Sequence, residues 1–308
     1  GLKFKTGIFT NLSHDHLDYH KSYKDYLDSK LHLFRKLLAK NSNAITDLDI
    51  PEYKKIKSIA LRKKLKLHTI SNKYGDLSII SHKHVGEKQF VKVKYKKKIY
   101  NFELNLIGKI QLKNVLMSMI ASHMSNIVFK NIVNVAHKIK PVHGRLEKVG
   151  SIKNNSSVIL DYAHTPDALR TCLQNIKDQF KDKKISIVFG CGGDRDKFKR
   201  PSMGKIANEY CDKIYLTDDN PRNENPKKIR TSIKQKINES KLYDISNRGK
   251  AIDQAIQNLI AGEILVVAGK GHEKFQDFGK YQIKFSDKDI IKKSIKKNKK
   301  LFKNYNWK

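Results

Sequence analysis

Apolar residues change their spacing near the middle of this 308-residue chain, and the change divides it into two parts. In the first part "TGIFTNL" (6–12) reads as a strand and "SHDHLDYHKS" as a polar loop. Tyr26, Leu27, Leu31, Phe34, Leu37 and Leu38 then recur at helical intervals, which predicts a helix from about Tyr23 to Lys40. The runs "SIALR", "LHTIS", "LSIIS", "KQFVKVKY" and "KIYNFELNL" read as short β-rich segments. A helix beginning near Leu112 puts Val115, Leu116, Met119 and Ile120 on one face, and its methionines suit core filling better than a cofactor box. Pro141 and Gly144 break the helical pattern in "KIKPVHGRLEKVG", so the domain boundary is placed between residues 142 and 143.

Beyond the boundary, strands and helices alternate. "SVILDYA" (157–163) precedes a helix from about Pro166 to Phe180, and "KISIVFG" (184–190) precedes one near Pro201 to Cys211. "KIYLT" (213–217) leads to a helix near Pro226 to Glu239, and a helix near Gly249 to Ile260 precedes "EILVVAG" (263–269). This rhythm predicts an α/β domain with a parallel sheet covered on both faces. Ligands of such sheets bind beyond the carboxyl ends of the strands. Here those ends read "DYAHTPD", "GCGGDRDK", "TDDNPR" and "AGKGHE", so the charged, Gly-rich and Pro-rich residues are expected on one edge.

Composition narrows the function classes. A hydrophobic fraction of 39% with few Gly and Pro fits a folded protein rather than a disordered one. No apolar run approaches a membrane span, and the opening "GLKFKTGIFTN" lacks a signal-peptide core, so the cytoplasm is the expected compartment. Cys172, Cys191 and Cys211 form no CxxC pair and have no basic partner at a recognisable spacing, which speaks against a disulfide framework and a catalytic thiol. The formal charge of +34 normally signals a polyanion partner. Only nine of the 64 basic residues are arginine, however, and the lysines are spread among Ile and Asn, a pattern of A/T-rich coding; no nucleic-acid-binding module accompanies them.

Because arginine is scarce, Arg195 and Arg222 stand out: a planar guanidinium grips a carboxylate or phosphate at two points where lysine cannot. Asp219, Asn220 and Glu273 are acceptors that suit an ammonium group, so the two kinds of group together fit a zwitterion such as an amino acid. An internal Arg–Asp salt bridge closing the turn is the competing reading of Arg222. Pro221 restricts Asn220 and aims its side chain. In the first part, His14, His16 and His20 with Asp15 and Asp18 admit zinc by composition, or a polar cap ahead of the helix; no second cluster at zinc spacing follows.

"FTNLSHDHLDYHKSYKDYLDSKLHLF", "GKIQLKNVLMSM", "GRLEKV", "DYAHTPDAL", "FGCGGDRDKFKRPSMG", "TDDNPRNENP" and "AGKGHEKFQDF", in this order across nearly the whole chain, resemble the Mur ligases. The likeness is strongest to members acting on UDP-N-acetylmuramoyl-L-alanyl-D-glutamate and meso-diaminopimelate in peptidoglycan synthesis. It implies residues 1–142 as the C-terminal portion of a central ATP-binding domain and 143–308 as a Rossmann-like amino-acid-binding domain. It implies an ATP- and magnesium-dependent ligase, a monomer in the cytoplasm, working through an acyl phosphate that the incoming amine displaces. By resemblance, Lys30 is a carbamylated lysine at a magnesium site and His16 a magnesium ligand. Asn114 meets the adenine, with Arg145, Asp161 and His164 on the nucleotide. Arg195 and Arg222 hold the extra carboxylate and its surroundings, and Asp219, Asn220, Pro221, Gly269 and Glu273 complete the amino-acid pocket.

The family's P-loop, GxxxxGK[ST], does not occur in the chain, and Phe198 and His14 stand where the family often has glycine and arginine. The expectation is a piece of the enzyme that alone neither hydrolyses ATP nor ligates. The alternatives are another ligase of the superfamily, L-lysine-adding or a folylpolyglutamate synthetase, and a non-catalytic basic nucleic-acid-binding protein.

Overall fold

The computed structural model describes residues 2, 4–13, 20, 22–152 and 156–305, with side chains described as far as residue 299. The chain forms two compact units, Gly1–Lys140 and Pro141–Lys308.

In the first unit, strands β1 (Phe4–Phe9), β2 (Leu38–Asp47), β3 (Lys66–Ser71), β4 (Leu77–Val85), β5 (Lys88–Tyr95) and β6 (Lys98–Leu104) make one sheet in sequence order. β1 to β4 pair in parallel and β4 to β6 antiparallel. Neighbouring residues of β2 serve opposite faces: Ala44 packs with Leu27, Leu31, Phe34 and Ile56, while Ile45 packs with Leu112, Leu116 and Ile120. Helices α1 (Tyr23–His32) and α2 (Tyr53–Arg62) thus supply one layer, and α3 (Lys109–Met124) with α4 (Phe129–Asn134) the other.

Two expectations for this unit are corrected. The helix predicted to Lys40 ends at His32, a π-helical turn spans Leu33–Leu37, and Leu38 opens β2. Leu31, Phe34 and Leu38 are all buried, so their spacing satisfied one apolar surface across a change of element. "SIALR", read as β-rich, lies in α2, where Ile56, Ile59 and Ala60 form the buried face at helical spacing.

The second unit is a six-stranded sheet in the order β11-β10-β9-β12-β8-β7. Its strands are β7 (Glu147–Gly150), β8 (Ser157–Asp161), β9 (Ile185–Phe189), β10 (Lys213–Leu216), β11 (Leu242–Asp244) and β12 (Ile264–Ala268), all parallel except β7. β13 (Phe275–Asp277) and β14 (Gln282–Lys284) form a separate hairpin. The helices are α5 (Pro166–Gln179), α6 (Lys199–Tyr210), α7 (Pro226–Lys234), α8 (Arg248–Gln257) and α9 (Asp287–Tyr305). Val158, Leu160, Leu265 and Val267 pack with Ala251, Ile252 and Ile291 of α8 and α9.

Caps set where these helices begin. The Thr165 hydroxyl accepts from Ala168 N ahead of Pro166, and the Asn225 side chain accepts from Lys227 N and Lys228 N ahead of Pro226. α7 is shorter than expected and stops at Lys234. The parallel register brings the ends of β8, β9, β10 and β12 to one edge, as the alternating pattern predicts.

Candidate functional site

The loops after β9 and β10 are knitted together at that edge. Gly193 N donates to the Asn220 carbonyl at 2.9 Å. A Cβ on Gly193 would collide with the Pro221 carbonyl oxygen, so only glycine admits this approach. Arg222 has a left-handed backbone, φ +49°, unusual for a residue with a long side chain. Its N donates to the Asp277 carbonyl at 3.0 Å, and its Nη1 donates to the Gly193 carbonyl at 2.6 Å. Its Nε lies 3.6 Å from Asp277 Oδ2, so the Arg–Asp pair weighed as the competing reading does exist, with an acid from β13 and at long range. Arg222 Nη1 and Arg195 Cγ both lie within 4 Å of the site a Gly192 Cβ would take, so the two arginines flank one glycine.

Glu224 braces the same loop. Arg200, itself buried, meets it through Nη1 at 3.1 Å and Nη2 at 2.9 Å, and Asp194 N donates to it at 2.7 Å. The Arg200 guanidinium is the main reason the Glu224 carboxyl is held down to about 2.

Acceptors face donors on the other side of the turn. Asn220 Nδ2 donates to Glu273 Oε2 at 3.0 Å, and Asn220 Oδ1 accepts from Asp277 N at 3.0 Å and from Lys270 Nζ at 2.8 Å. Lys270 Nζ also donates to Glu273 Oε2 at 2.7 Å. Asp219 is buried; its Oδ1 accepts from Asn220 N at 2.8 Å, and its Oδ2 lies 3.8 Å from Arg248 Nη1. Gly269, at φ +110°, lets Asp219 approach: a Cβ there would stand 2.9 Å from Asp219 Oδ2. Arg195, Asp219, Asn220, Pro221, Arg222, Gly269 and Glu273 are therefore gathered at one place.

A second group sits at the ends of β8 and β12. Asp161 accepts from Leu146 N at 2.7 Å and Ala163 N at 2.8 Å, and burial pushes its carboxyl up. The Arg145 guanidinium stacks 4.6 Å over the Tyr162 ring, which also meets His164 and His272. Exposed Arg145 and half-buried His164 thus share a platform of aromatic faces, and Gly269 N donates to the Asp161 carbonyl at 3.2 Å. The three cysteines are buried, and burial raises each thiol, Cys191 to about 12, which removes nucleophilic character.

Lys30 and Asn114 belong to the first unit. Lys30 is exposed on α1 with Nζ 4.8 Å over the Tyr26 ring; Asn114, on α3, is half-buried and its carbonyl accepts from the Ser118 hydroxyl. His16, with His14, Asp15 and Asp18, lies outside the described residues. Among the described residues no group of three or more His, Cys, Asp or Glu could hold a metal ion, and the Lys30 ammonium is itself no metal ligand.

Sequence reasoning missed Lys270, Arg200 and Arg248. Lys270 and Arg248 are at most 1% exposed, an unusual state for cations. The scarcity of arginine could have pointed to Arg200 and Arg248; nothing in a lysine-rich chain distinguishes Lys270.

The Mur ligase middle-domain family matches residues 1–122, and the family described as Mur ligase, glutamate ligase domain, matches residues 144–271. The chain belongs to the Mur ligase family. It is 39% identical over 296 residues to the UDP-N-acetylmuramoyl-L-alanyl-D-glutamate--2,6-diaminopimelate ligase of Rickettsia montanensis, covering 96% of this chain and 61% of that protein. The protein of the same name from Chelativorans sp. (strain BNC1) is 36% identical with the same coverage. A solved structure of a UDP-N-acetylmuramoyl-L-alanyl-D-glutamate--2,6-diaminopimelate ligase matches at TM-score 0.65 and 29% identity, over 95% of this chain and 60% of that one. The MurF ligase from Thermotoga maritima in complex with ADP shares the fold at TM-score 0.70 and 14% identity, over 97% of this chain and 63% of that one. This Mur ligase chain thus spans about 61% of the length of the curated relatives it matches. Among the described residues, no helix is long and apolar enough to cross a membrane.

Proposed function

We propose that the chain carries the amino-acid-binding part of an ATP-dependent ligase of peptidoglycan synthesis, one that adds meso-diaminopimelate to UDP-N-acetylmuramoyl-L-alanyl-D-glutamate. The observation that carries this reading is the pairing of Arg222 and Arg195 around Gly192 with the acceptors Asp219 and Asn220 after β10 and Glu273 after β12, which is hydrogen-bonded to Asn220. Guanidinium groups on one side and acceptors on the other suit a carboxylate and an ammonium held together. A ligand with a second zwitterionic end gains from the arginines what L-lysine cannot.

In this reading the γ-carboxylate of the substrate's D-glutamate takes the γ-phosphoryl group of ATP, and the amine of the held amino acid displaces phosphate. Residues 143–308 orient that amine, and positioning is the contribution they make to rate. Arg145, Asp161 and His164 are assigned to the nucleotide, as the family resemblance implies. Lys30 and His16 are assigned to the family's magnesium chemistry. A carbamate on the exposed Lys30 would give it the oxygen ligands that its amine lacks.

Calorimetry of this chain with meso-diaminopimelate and with L-lysine, repeated on Arg222→Ala, tests the proposal. Preference for meso-diaminopimelate that disappears in the variant is expected. Equal weak binding of both ligands by the unaltered chain overturns it.

A further inference from the structure

Lys270 is fully buried, and its ammonium lies between Asn220 Oδ1 at 2.8 Å and Glu273 Oε2 at 2.7 Å, on the acceptor side of the amino-acid site. Both hydrogen bonds to Glu273, from Lys270 and from Asn220 Nδ2, fall on Oε2. That leaves Oε1, on a side chain about one-third exposed, as the oxygen for a ligand. The neighbouring cation, Arg248, is taken by Asp287 through Nε at 2.8 Å and Nη2 at 2.7 Å, and only its Nη1 is turned toward Asp219 at 3.8 Å. Lys270 is therefore the cation hydrogen-bonded to Glu273, on which Arg248 acts only through space.

We propose that Lys270 is a specificity-determining positioning residue: its buried ammonium, by offsetting Glu273, keeps the acceptor side of the pocket from attracting ligands with surplus positive charge. This rests on the amino-acid site of the proposed function and adds a second filter to it. The arginines favour a ligand with an extra carboxylate, and Lys270 disfavours one with an uncompensated ammonium. A pocket carrying a bare Glu273 would bind L-lysine, net cationic, better than the present one does. A unit charge removed within a few ångströms of the ligand ammonium, at the effective screening of a partly buried site, changes affinity about tenfold or more.

The test compares the unaltered chain with Lys270→Met, close in shape but uncharged, and Lys270→Gln, which keeps a donor without the charge. Calorimetry is run with meso-diaminopimelate, L-lysine and the simple diamine cadaverine. Both variants are expected to shift the lysine-to-diaminopimelate affinity ratio at least about fivefold toward lysine, and to acquire cadaverine binding. A residue that merely holds the fold together would weaken all ligands alike and leave the ratio where it was. An unchanged ratio without gained cadaverine binding overturns the proposal, as does a shift in Lys270→Met that is missing in Lys270→Gln, since charge is then not its cause. Should the unaltered chain bind no meso-diaminopimelate, the proposed function fails; cadaverine binding gained in both variants would still support the role of Lys270, and its absence would end that too.

Discussion

Arg222 donates its Nη1 to the Gly193 carbonyl oxygen at 2.6 Å, so the guanidinium offered to a ligand is already held at one nitrogen by the neighbouring loop. Backbone makes the same join, Gly193 N meeting the Asn220 carbonyl at 2.9 Å. The two adjacent glycines of this loop therefore predict different outcomes. At Gly193 the obstacle to a Cβ is the Pro221 backbone, which cannot step aside; at Gly192 it is the movable tip of Arg222, 2.9 Å away. Gly193→Ala should cost about 1–3 kcal/mol in urea denaturation, the range for forcing a group into packed space. Gly192→Ala should cost at most about 1 kcal/mol in the same measurement, through the Arg222 hydrogen bond to Gly193 that it disturbs, while weakening amino-acid binding.

The left-handed backbone of Arg222 separates its role in binding from its role in stability. Glycine takes φ +49° without strain, and alanine does not. Either replacement loses the hydrogen bond to Gly193 and the 3.6 Å pair with Asp277, together worth about 1 kcal/mol. Relief of strain returns about 1 kcal/mol to glycine alone. Arg222→Gly should unfold near the original midpoint, and Arg222→Ala about 1 kcal/mol below it. Both should lose the preference for meso-diaminopimelate. Loss of binding in a variant of full stability would mark the guanidinium as a ligand group rather than a turn clasp.

These loops were legible because topology gathers them: parallel strands carry their carboxyl ends to one edge, and the runs after β8, β9, β10 and β12 are chemically unlike the rest of the chain. Helix starts were legible where Thr165-Pro166 and Asn225-Pro226 combine a capping side chain with a preset φ. The passage from α1 into β2 was not, since Leu31, Phe34 and Leu38 keep one apolar surface while the backbone changes form. Lys270 was invisible for another reason. Its importance lies in burial between two glycines, and residue type alone cannot report burial in a chain with so many lysines.

Glu224 predicts an acid-sensitive loop. Arg200 is the main cause that lowers its carboxyl to about 2 from the ordinary 4.5, with Asp194 N and Lys197 adding to the effect. A depressed carboxyl stabilises the fold above the unfolded value and loses that contribution as pH falls toward the folded one. The window is therefore between about pH 4.5 and about pH 2. The urea midpoint of the original chain should drop more steeply from about pH 5 to about pH 3 than that of Glu224→Gln, which has no carboxylate to protonate. Parallel slopes would show that the loop does not depend on this charge.

Arg248 joins stability and site in a way that a double variant can divide. It is buried against Asp287, which is fully buried at the start of α9, and its Nη2 also donates to the Ala268 carbonyl at 2.8 Å. Arg248→Met leaves Asp287 as an unpaired charge in the interior and should cost about 3–5 kcal/mol in urea denaturation. Arg248→Met with Asp287→Leu removes both charges, and most of that loss should return, less up to about 1 kcal/mol for the acid removed from the first turn of α9. Asp219 differs in that its 3.8 Å neighbour is gone in both variants. Amino-acid affinity should therefore remain low in the double variant even as its midpoint recovers. If affinity and stability recover together, Arg248 serves the fold alone, and Asp219 needs no cation behind it.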